Sequence, residues 1–501
     1  MGATVIGVDS GTQGVKAVVV DVDSGRVVGR GRAPHDSVPG LPPGASEQDP
    51  DIWVSAMNNA LREALTDSDP KQVVALGVSG QQHGFVPLDE KGRVIRPAKL
   101  WNDTSTVAET QEIIMALGGP AGVLEKIGIG LAVGFTAGKI RWLKMHEPEH
   151  YARLRTVLLP HNYLNFILTG ERRMEYGDAS GTGLMDIRNR VWSPDAAAAV
   201  DPGLMACLPP LHPPSEPVGR VKNEFAESFG LGDVLVAAGS GDNMMGAIGT
   251  GNVSPGICTV SLGTSGTIYS YSPVPSVDPR GEIAGFCDGT GAWLPLLCTM
   301  NVTNVTELWK SVLGLDNAAR DELAARAPAG SSGLIFLPFV DGERVPALPG
   351  ASAVFFGLNR VNFTPAAMTR AVMEGTLLNL GYGLGRLRAL GIVPSEIRAT
   401  GGASRSLFWL QLAADIFQAP VVTLAEPEGA AFGAALQAIW TWRKERGEKV
   451  GIETLAGALV KTSGEAVEPH PGHRGLYAER QDRFNALWKR LAPEFESRRS
   501  G

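Results

Sequence analysis

Two glycine-rich bends carry the residue types that bind phosphate. The first, in "VIGVDSGTQGVKAVVVD", is Gly11-Thr12-Gln13-Gly14, and the second, in "ICTVSLGTSGTIYSYS", is Gly263-Thr264-Ser265-Gly266. Glycine accepts positive φ and leaves no side chain in the way, so the backbone N–H groups of such a bend can converge on an anion. Thr12, Thr264 and Ser265 add hydroxyl donors for phosphate oxygens. Each bend alone is explained equally well as a tight β-hairpin, where Gly and Thr are favoured.

Two carboxylates stand close to strand-like runs. Asp9 lies two residues before the first bend, where it could hold Mg²⁺ directly or through water. Asp242 and Asn243 follow the run "VLVAAGSG" in a Gly-rich loop. A carboxylate at the end of a strand can accept hydrogen bonds from a ligand or take part in catalysis. The alternative for Asp242 is a helix N-cap.

A third group of polar residues suits a polyhydroxylated ligand. In "LGVSGQQHGF", Gln82 and His83 follow a strand-like run, and the ends of parallel strands are where α/β proteins bind ligands. Together with Asp242 and Asn243 they supply both hydrogen-bond donors and acceptors. For His83 alone, a loop histidine with satisfied hydrogen bonds is an equally good interpretation. The sequence has no G-x-x-x-x-G-K-[ST] pattern, which excludes P-loop chemistry.

A third glycine cluster lies in "IRATGGASRSLFWLQLAADIFQAPV", between a strand-like and a helical segment. The bend Gly401-Gly402-Ala403 lets the backbone approach a flat ligand closely. Ser404 and Ser406 then stand at the start of the helix, where they suit either capping or hydrogen bonding to a nucleotide.

The elements that must position these residues alternate along the chain. Strand-like runs such as "QVVALGVSG" alternate with amphipathic stretches such as "DIWVSAMNNALREAL", a pattern typical of α/β layers. The G-T-x-G bend recurs near the start of each half with strand-like flanks, which indicates a duplicated domain. Residues 441–501 carry the amphipathic run "LYAERQDRFNALWKRL", which we expect to pack against the body without a catalytic part.

Composition restricts the class of protein. A chain of 501 residues with 44% hydrophobic and 19% charged residues favours two domains. A net charge of −7 gives a nucleic-acid partner little electrostatic support. No apolar run approaches the roughly 18 residues of a membrane span, and the chain leads straight into a strand, so we expect a cytoplasmic protein with no membrane partner. The four cysteines lack C-x-x-C spacing and are interpreted as small buried hydrophobes.

Two longer segments resemble the signatures of the FGGY family of carbohydrate kinases. "GFTAGKIRWLKMH", residues 134–146, resembles one, with Lys139 and Trp142 in the expected places, and "AVFFGLNRVNFTPAAMTRAVME", residues 353–374, resembles the other. The segments "LWNDTST", "LPFVDGERVP" and "GGASRSLFW" extend the resemblance, which covers residues 4–440 in the expected order.

The resemblance implies an α/β fold of the actin-like ATPase (ribonuclease H-like) type, with two duplicated domains and an interdomain cleft. By this resemblance, residues 1–245 form an N-terminal FGGY kinase domain with the sugar site and the first phosphate hairpin. Residues 246–440 form a C-terminal FGGY kinase domain that binds ATP, and residues 441–501 form a helical tail packed on the body.

The resemblance also implies roles for individual residues on the phosphate side. Asp9 is expected near Mg²⁺ and Thr12 near the ATP phosphates. The second phosphate loop is expected to comprise Gly263, Thr264 and Ser265. The adenosine end is expected to meet Gly402, Ala403 and Ser406.

On the sugar side, the resemblance makes Asp242 the general base. We expect the sugar to be hydrogen-bonded by Gln82, His83, Asp242 and Asn243. Trp101, in "LWNDTST", is expected to pack beside the sugar and Asp103 to help fix it.

The activity implied is ATP- and Mg²⁺-dependent phosphorylation of D-xylulose to D-xylulose 5-phosphate. The alternatives are a kinase for another ketose or polyol, such as D-ribulose or glycerol, and a non-metabolic actin-like ATPase. The second alternative does not require "QQHG" and "GDN" at the strand ends. The sequence leaves the oligomeric state open, a homodimer included.

Overall fold

The structure is a computed structural model that describes residues 2–497. Groups of strands and groups of helices follow one another along the chain, which agrees with the α/β class predicted from the hydrophobic pattern. The strands are β1 (Thr4–Gly11), β2 (Gly14–Asp21), β3 (Val27–Pro34), β4 (Glu47–Gln48), β5 (Val73–Gly80), β6 (Val86–Leu88), β7 (Ala98–Lys99), β8 (Thr156–Leu158), β9 (Met174–Glu175), β10 (Met185–Asp186), β11 (Val191–Trp192), β12 (Leu211–His212), β13 (Gly219–Arg220), β14 (Leu235–Val236), β15 (Ser240–Gly241), β16 (Ile257–Leu262), β17 (Gly266–Ser270), β18 (Ala284–Cys287), β19 (Trp293–Thr299), β20 (Ile335–Leu337), β21 (Val354–Phe356), β22 (Glu396–Thr400), β23 (Val421–Leu424) and β24 (Thr462–Val467).

The helices range from single turns to the 25 residues of α13. They are α1 (Pro50–Ala64), α2 (Val107–Ala116), α3 (Gly119–Ile127), α4 (Thr136–His146), α5 (Pro148–Arg153), α6 (Pro160–Thr169), α7 (Tyr176–Ala179), α8 (Pro194–Val200), α9 (Asn223–Phe229), α10 (Asp242–Gly249), α11 (Thr303–Leu313), α12 (Asn317–Ala325), α13 (Pro365–Ala389), α14 (Leu407–Phe417), α15 (Gly429–Glu445), α16 (Ile452–Leu459) and α17 (Arg474–Ser497).

The chain forms two compact units, each built from three segments. The described part of the first unit takes residues 2–254, 271–294 and 428–460, and that of the second takes 255–270, 295–427 and 461–497. The division into 1–245, 246–440 and 441–501, and the cleft expected between domains, stay predictions. Residues 441–497 also contribute the strand β24, which the amphipathic pattern of the tail does not indicate.

The first unit is built on a seven-stranded mixed sheet in the order β13-β14-β5-β1-β2-β3, with β15 also paired to β5. Strand β1 runs parallel to β5 and antiparallel to β2. Helix α1 covers one face with Trp53, Met57 and Leu61, which recur at helical spacing and are buried. Helix α15 approaches β1 so closely that a Cβ at Gly7 would lie 1.9 Å from the Ala431 carbonyl oxygen. Any side chain at position 7 would collide with the backbone of α15, so this position requires glycine.

The second unit repeats this strand pattern. Its sheet runs β19-β17-β16-β22-β23-β24, with β16 antiparallel to β17 and parallel to β22. Strands β14-β5-β1-β2-β3 of the first unit thus correspond to β23-β22-β16-β17-β19 of the second, in order and in direction. The duplication predicted from the two glycine bends is confirmed.

Two expectations from the sequence concern membrane-spanning helices and the cysteines. Within residues 2–497, no helix combines the length and the apolar composition that a membrane span requires. All four cysteines are free thiols; Cys258 and Cys287 are buried, whereas Cys207 and Cys298 are half-buried.

Candidate active site

The first glycine bend is a two-residue turn at the tip of β1 and β2. Gly11 pairs with Gly14, which leaves Thr12 and Gln13 in the turn. The Thr12 hydroxyl donates to Oε1 of Gln81 over 3.1 Å and accepts from Nε1 of Trp101 over 3.0 Å. The structure thereby brings together Thr12 and Trp101, two predicted site residues that are 89 positions apart.

This turn is supported from beneath by Gln48, which the sequence analysis missed. Nε2 of Gln48 donates to the Thr12 carbonyl over 2.7 Å, and its Oε1 accepts from Nε1 of Trp53 (2.8 Å) and from Nε2 of Gln81 (2.9 Å). Gln48 is completely buried. It lies in a Pro/Gly-rich stretch, "PGLPPGASEQDP", that carries no hydrophobic pattern from which burial could be predicted.

Asp9 lies near the end of β1, and Asp242 directly follows β15; both of these strands pair with β5. Asp9 lies on β1 opposite Ser79 of β5, whose hydroxyl donates to Oδ1 of Asp9 over 2.8 Å. Asp242 is the first residue of α10 and follows β15, which pairs with the end of β5 through Ser240 and Ser79. Parallel pairing of β5 with both β1 and β15 therefore directs the two carboxylates to the same edge of the sheet.

The two carboxylates lie deep in the unit but keep part of their side chains accessible. Burial raises the pKa of Asp9, against the Ser79 hydrogen bond and the charge of Lys16. Burial, followed by the negative charges of Asp9 and Asp178, raises the pKa of Asp242 to about 7. Two repelling carboxylates held this way are a favourable environment for a cation.

The arrangement fits Mg²⁺ better than a closed metal centre. Residues 2–497 contain no cluster of three or more His, Cys, Asp or Glu side chains able to hold a metal. Mg²⁺ is typically bound by one or two carboxylates, with waters and substrate phosphates completing its octahedron. Asp9, with Asp242 nearby, meets that requirement.

Asp242 is not the N-cap of α10, because Gly241 occupies that position. Its Oδ1 accepts from the backbone N–H of Asn243 (2.8 Å) and from Asn243 Nδ2 (3.0 Å). Its Oδ2 accepts no hydrogen bond from any residue in the described chain. One carboxylate oxygen is therefore held by the protein while the other is open to a donor.

Asn243 links the general-base candidate to the predicted sugar residues. Its Nδ2 also donates to Oε1 of Gln82 over 2.7 Å, and Nε2 of Gln82 contacts Sδ of Met244 at 3.2 Å. Gln82 is almost fully buried. The structure thus joins Asp242, Asn243 and Gln82 in one hydrogen-bonded row.

His83 is held in a left-handed backbone conformation, with φ of 62°. Its carbonyl oxygen accepts from Nζ of Lys139 over 2.7 Å and from Oγ1 of Thr136 over 3.2 Å. Its ring centroid lies 4.7 Å from that of Phe135 and 5.5 Å from that of Phe286. Lys139 is completely buried, and burial lowers its pKa to about 7. Its part in positioning His83 is visible only in the structure.

Asp103 lies apart from this row. Its side chain is fully buried and accepts from Lys99 Nζ (3.1 Å), Ser105 Oγ (2.6 Å) and the Ser46 backbone N–H (2.9 Å). Burial by itself would raise its pKa, but these hydrogen bonds and the Lys99 charge hold the pKa below its ordinary value. With its oxygens engaged in this way, Asp103 is placed to fix the loop that carries Trp101.

The second glycine bend lies between β16 and β17 and is one residue longer than the first. Leu262 pairs with Gly266, which leaves Gly263, Thr264 and Ser265 in the loop. A Cβ at Gly263 would meet only the Ser265 carbonyl oxygen, at 3.3 Å. Thr264 is exposed. The three predicted residues of the second phosphate loop are therefore grouped on an open tip.

The third glycine cluster follows β22 as a short 3₁₀ turn, Gly402–Arg405. Nothing lies within 4 Å of a Cβ built at Gly402. Ser406 is the N-cap of α14: its hydroxyl accepts from the Trp409 N–H over 3.3 Å and donates to Oδ2 of Asp321 over 2.6 Å. The structure therefore shows Ser406 capping α14, and its contact with the adenosine stays a prediction. Ala403 stays half-buried beside Gly402.

Family models of known proteins match both halves of the chain. The family model "FGGY family of carbohydrate kinases, N-terminal domain" matches residues 4–249, and the corresponding C-terminal domain model matches residues 258–442. A xylulose kinase of Haemophilus influenzae is 43% identical over 444 residues, covering 87% of this chain and 90% of that protein. A xylulose kinase of Streptomyces coelicolor is 38% identical over 440 residues, covering 87% and 88%.

A solved structure extends the similarity to the fold. The crystal structure of xylulose kinase from Rhodospirillum rubrum has a TM-score of 0.90 and 30% identity, covering 98% of this chain and 100% of that one. Family models that match both halves, together with relatives of this identity and coverage, settle the family. The chain belongs to the FGGY family of carbohydrate kinases, phosphotransferases with the actin-like ATPase fold.

Proposed function

We propose that this carbohydrate kinase transfers the γ-phosphoryl group of ATP to D-xylulose and forms D-xylulose 5-phosphate. The observation that carries the proposal is the row formed by Asp242, Asn243 and Gln82, with one Asp242 oxygen open and a pKa of about 7. The xylulose kinases of Haemophilus influenzae and Streptomyces coelicolor, similar over 87% of this chain, support the choice of sugar.

Asp242 acts as the general base. A sugar hydroxyl is a poor nucleophile, and a carboxylate with a pKa near the working pH is both available in its ionised form and basic enough to accept the proton. The bonds from Asn243 to Oδ1 fix the carboxylate, so that Oδ2 faces the incoming hydroxyl. The proton moves to Oδ2 as the hydroxyl oxygen bonds to the γ-phosphorus, while the bond from that phosphorus to the bridging oxygen breaks and ADP leaves.

Gln82, Asn243 and His83 orient the sugar, and Trp101 packs beside it. Buried polar side chains of this kind discriminate between sugars, because a missing or inverted hydroxyl leaves a donor or acceptor unpaired. Each such loss costs about 1–3 kcal/mol, which corresponds to roughly 5- to 150-fold in kcat/KM.

Gly263, Thr264 and Ser265 bind the phosphates of ATP through backbone N–H groups and hydroxyls. Thr12, whose hydroxyl donates to Gln81, contributes its backbone N–H. Gly402 and Ala403 provide a flat approach for the adenosine. Asp9 would hold Mg²⁺, which when bound neutralises charge on the transferring phosphoryl group. Since phosphoryl transfer requires little covalent chemistry from the protein, most of the rate comes from positioning and electrostatics.

A coupled ADP-release assay with a panel of sugars tests the proposal. We expect the kcat/KM for D-xylulose to exceed that for D-ribulose and greatly exceed that for glycerol. His83→Ala should change this order of preference. A higher kcat/KM for D-ribulose or glycerol would reassign the sugar, and ATP hydrolysis that no sugar stimulates would favour an actin-like ATPase.

Two finer expectations accompany the proposal. The cytoplasmic location stays a prediction from the sequence, as does the homodimer that the sequence leaves open. Sedimentation of the purified protein would decide between monomer and dimer.

A further inference from the structure

Arg344 is an exposed cation in the second unit, within the segment "LPFVDGERVP". In the described chain its guanidinium forms no ion pair with a carboxylate. Exposed arginines gain little from isolated ion pairs, so exposure alone assigns no role. The surroundings of Arg344, however, tie it to the second glycine bend through two separate routes.

The first route runs through the backbone. Glu343 is buried, and its Oε1 accepts from the backbone N–H groups of both Arg344 and Met300, each over 2.7 Å. Its Oε2 accepts from Nδ2 of Asn301 (3.0 Å) and of Asn379 (2.9 Å). One carboxylate therefore fixes the start of the Arg344 side chain relative to the turn that begins at Met300.

Backbone hydrogen bonds connect the turn that begins at Met300 to the second glycine bend. The N–H of Thr303 donates to the Gly263 carbonyl over 3.0 Å, and the N–H of Val302 donates to the Thr264 carbonyl over 3.3 Å. The carbonyls of Gly263 and Thr264 are therefore engaged on this side, while the exposed Thr264 lies at the open tip of the bend.

The second route runs through side chains. Cys298 on β19 pairs with Thr267, two residues after Ser265. Burial raises the pKa of the Cys298 thiol, and the nearby Arg344 guanidinium and Ser265 hydroxyl oppose that shift, so both groups face the same thiol. The guanidinium is a partly accessible cation beside a bend that already supplies neutral donors.

We infer that Arg344 binds a phosphate group of the nucleotide held by Gly263, Thr264 and Ser265. The inference rests on the proposed function, in which that bend receives the phosphates of ATP. The planar guanidinium presents paired N–H donors that match two phosphate oxygens, and such charge-assisted bonds are stronger than those of neutral donors. In the described chain no carboxylate is paired with Arg344, so none has to be displaced when the phosphate binds.

Isothermal titration of the full-length protein with ATP, ADP and adenosine tests the inference. Arg344→Met should weaken binding of ATP roughly 10- to 100-fold and leave the affinity for adenosine, which has no phosphate, within about twofold. An equal loss for ADP assigns the contact to the α- or β-phosphate, whereas a loss confined to ATP assigns it to the γ-phosphate. Arg344→Lys should give an intermediate loss, because it keeps the charge but not the paired donors.

Two variants separate a phosphate contact from a structural role. Cys298→Ala removes the thiol that Arg344 and Ser265 both face but keeps the guanidinium, so ATP affinity should stay within a few-fold of the native value. Arg326→Met, at another exposed arginine of the same unit, controls for the loss of one positive charge. The inference is overturned if Arg344→Met binds ATP as the native protein does, if it weakens adenosine equally, or if Cys298→Ala loses as much ATP affinity as Arg344→Met.

The failure of this inference differs from the failure of the proposed function. A native protein that phosphorylates D-xylulose, with an Arg344→Met variant of unchanged ATP affinity, overturns the role of Arg344 alone. A native protein that binds ATP in a manner dependent on Arg344 but phosphorylates another sugar overturns only the choice of substrate.

Discussion

The buried ammonium of Lys139 and the carbonyl of His83 are joined by a 2.7 Å hydrogen bond, across 56 positions of sequence. The same ammonium donates to the Gly134 carbonyl, also over 2.7 Å. These bonds hold His83 at a φ of 62°, a conformation that non-glycine residues adopt only when the surroundings compensate its cost. Lys139 therefore positions His83, the residue proposed to bind the sugar.

Lys139→Met should release this carbonyl. We expect the KM for D-xylulose to rise about 10-fold or more, with a smaller change in the KM for ATP, because only the sugar side depends on His83. Steady-state kinetics with each substrate varied in turn measure the split. Lys91→Met, at an exposed lysine of the same unit, is the matched control and should behave like the native enzyme. Equal rises in both KM values would indicate general loss of structure instead.

Gly263→Val should impair ATP binding while the protein remains folded. A Cβ at this position would lie 3.3 Å from one backbone oxygen, that of Ser265, so the bend has to shift by only a few tenths of an ångström to accept a side chain. The branched methyl groups, however, would occupy the space from which phosphate reaches the N–H groups. We expect the KM for ATP to rise and kcat to fall, each about 10-fold or more, with Tm little changed. Native ATP kinetics in the folded variant would remove the bend from the phosphate site.

The sequence predicts the local parts of this site well, because they depend on neighbouring residues. The run of residues 5–21 predicts a strand, a bend and a strand, and β1 and β2 are found at Thr4–Gly11 and Gly14–Asp21. The stretch "DIWVSAMNNALREAL" predicts a helix, and α1 covers Pro50–Ala64. In both cases the hydrophobic period and the turn residues determine the element without help from the rest of the chain.

What the sequence does not reveal are pairings between distant residues. Gln48 is buried under the first bend although its own neighbours are Pro, Gly and acidic residues. Asp103 lies in "LWNDTST", where the sequence gives no sign that Lys99, Ser105 and Ser46 hold its carboxylate. A polar side chain gives no sign in the sequence of whether its partner is a ligand or another residue, and only the tertiary structure decides.

Gly401 and Gly402 should respond in opposite ways to alanine. Gly401 has a φ of 85°, and a Cβ there would lie 2.7 Å from the carbonyl carbon and oxygen of Leu262. We therefore expect Gly401→Ala to lower the free energy of unfolding by about 1–3 kcal/mol or more. Gly402→Ala, where a Cβ meets nothing within 4 Å, should change it by less than about 0.5 kcal/mol. Chemical denaturation of the two variants side by side measures both, and equal stabilities would contradict the strain assigned to Gly401.

Asp242→Asn should lower activity and raise stability, with opposite dependence on pH. In the native free enzyme, the carboxylate must be ionised to accept the sugar proton, so kcat/KM should fall as pH decreases through about 7, the pKa to which burial and the charge of Asp9 raise it.

The effect on stability has the reverse sign. Because the folded state holds this proton up to about pH 7 whereas an ordinary aspartate releases it near pH 3.8, the contribution of Asp242 to the free energy of unfolding decreases as pH rises through that window. Asparagine removes the buried charge, so Tm should increase relative to the native protein, and more at pH 8 than at pH 4. At the same time kcat should fall roughly 10²-fold or more, with nucleotide affinity nearly unchanged. Thermal unfolding at both pH values and kinetics at saturating sugar test the two parts separately. Near-native turnover would dismiss Asp242 as the base, and a Tm gain that does not depend on pH would show that the carboxylate is not held at a raised pKa.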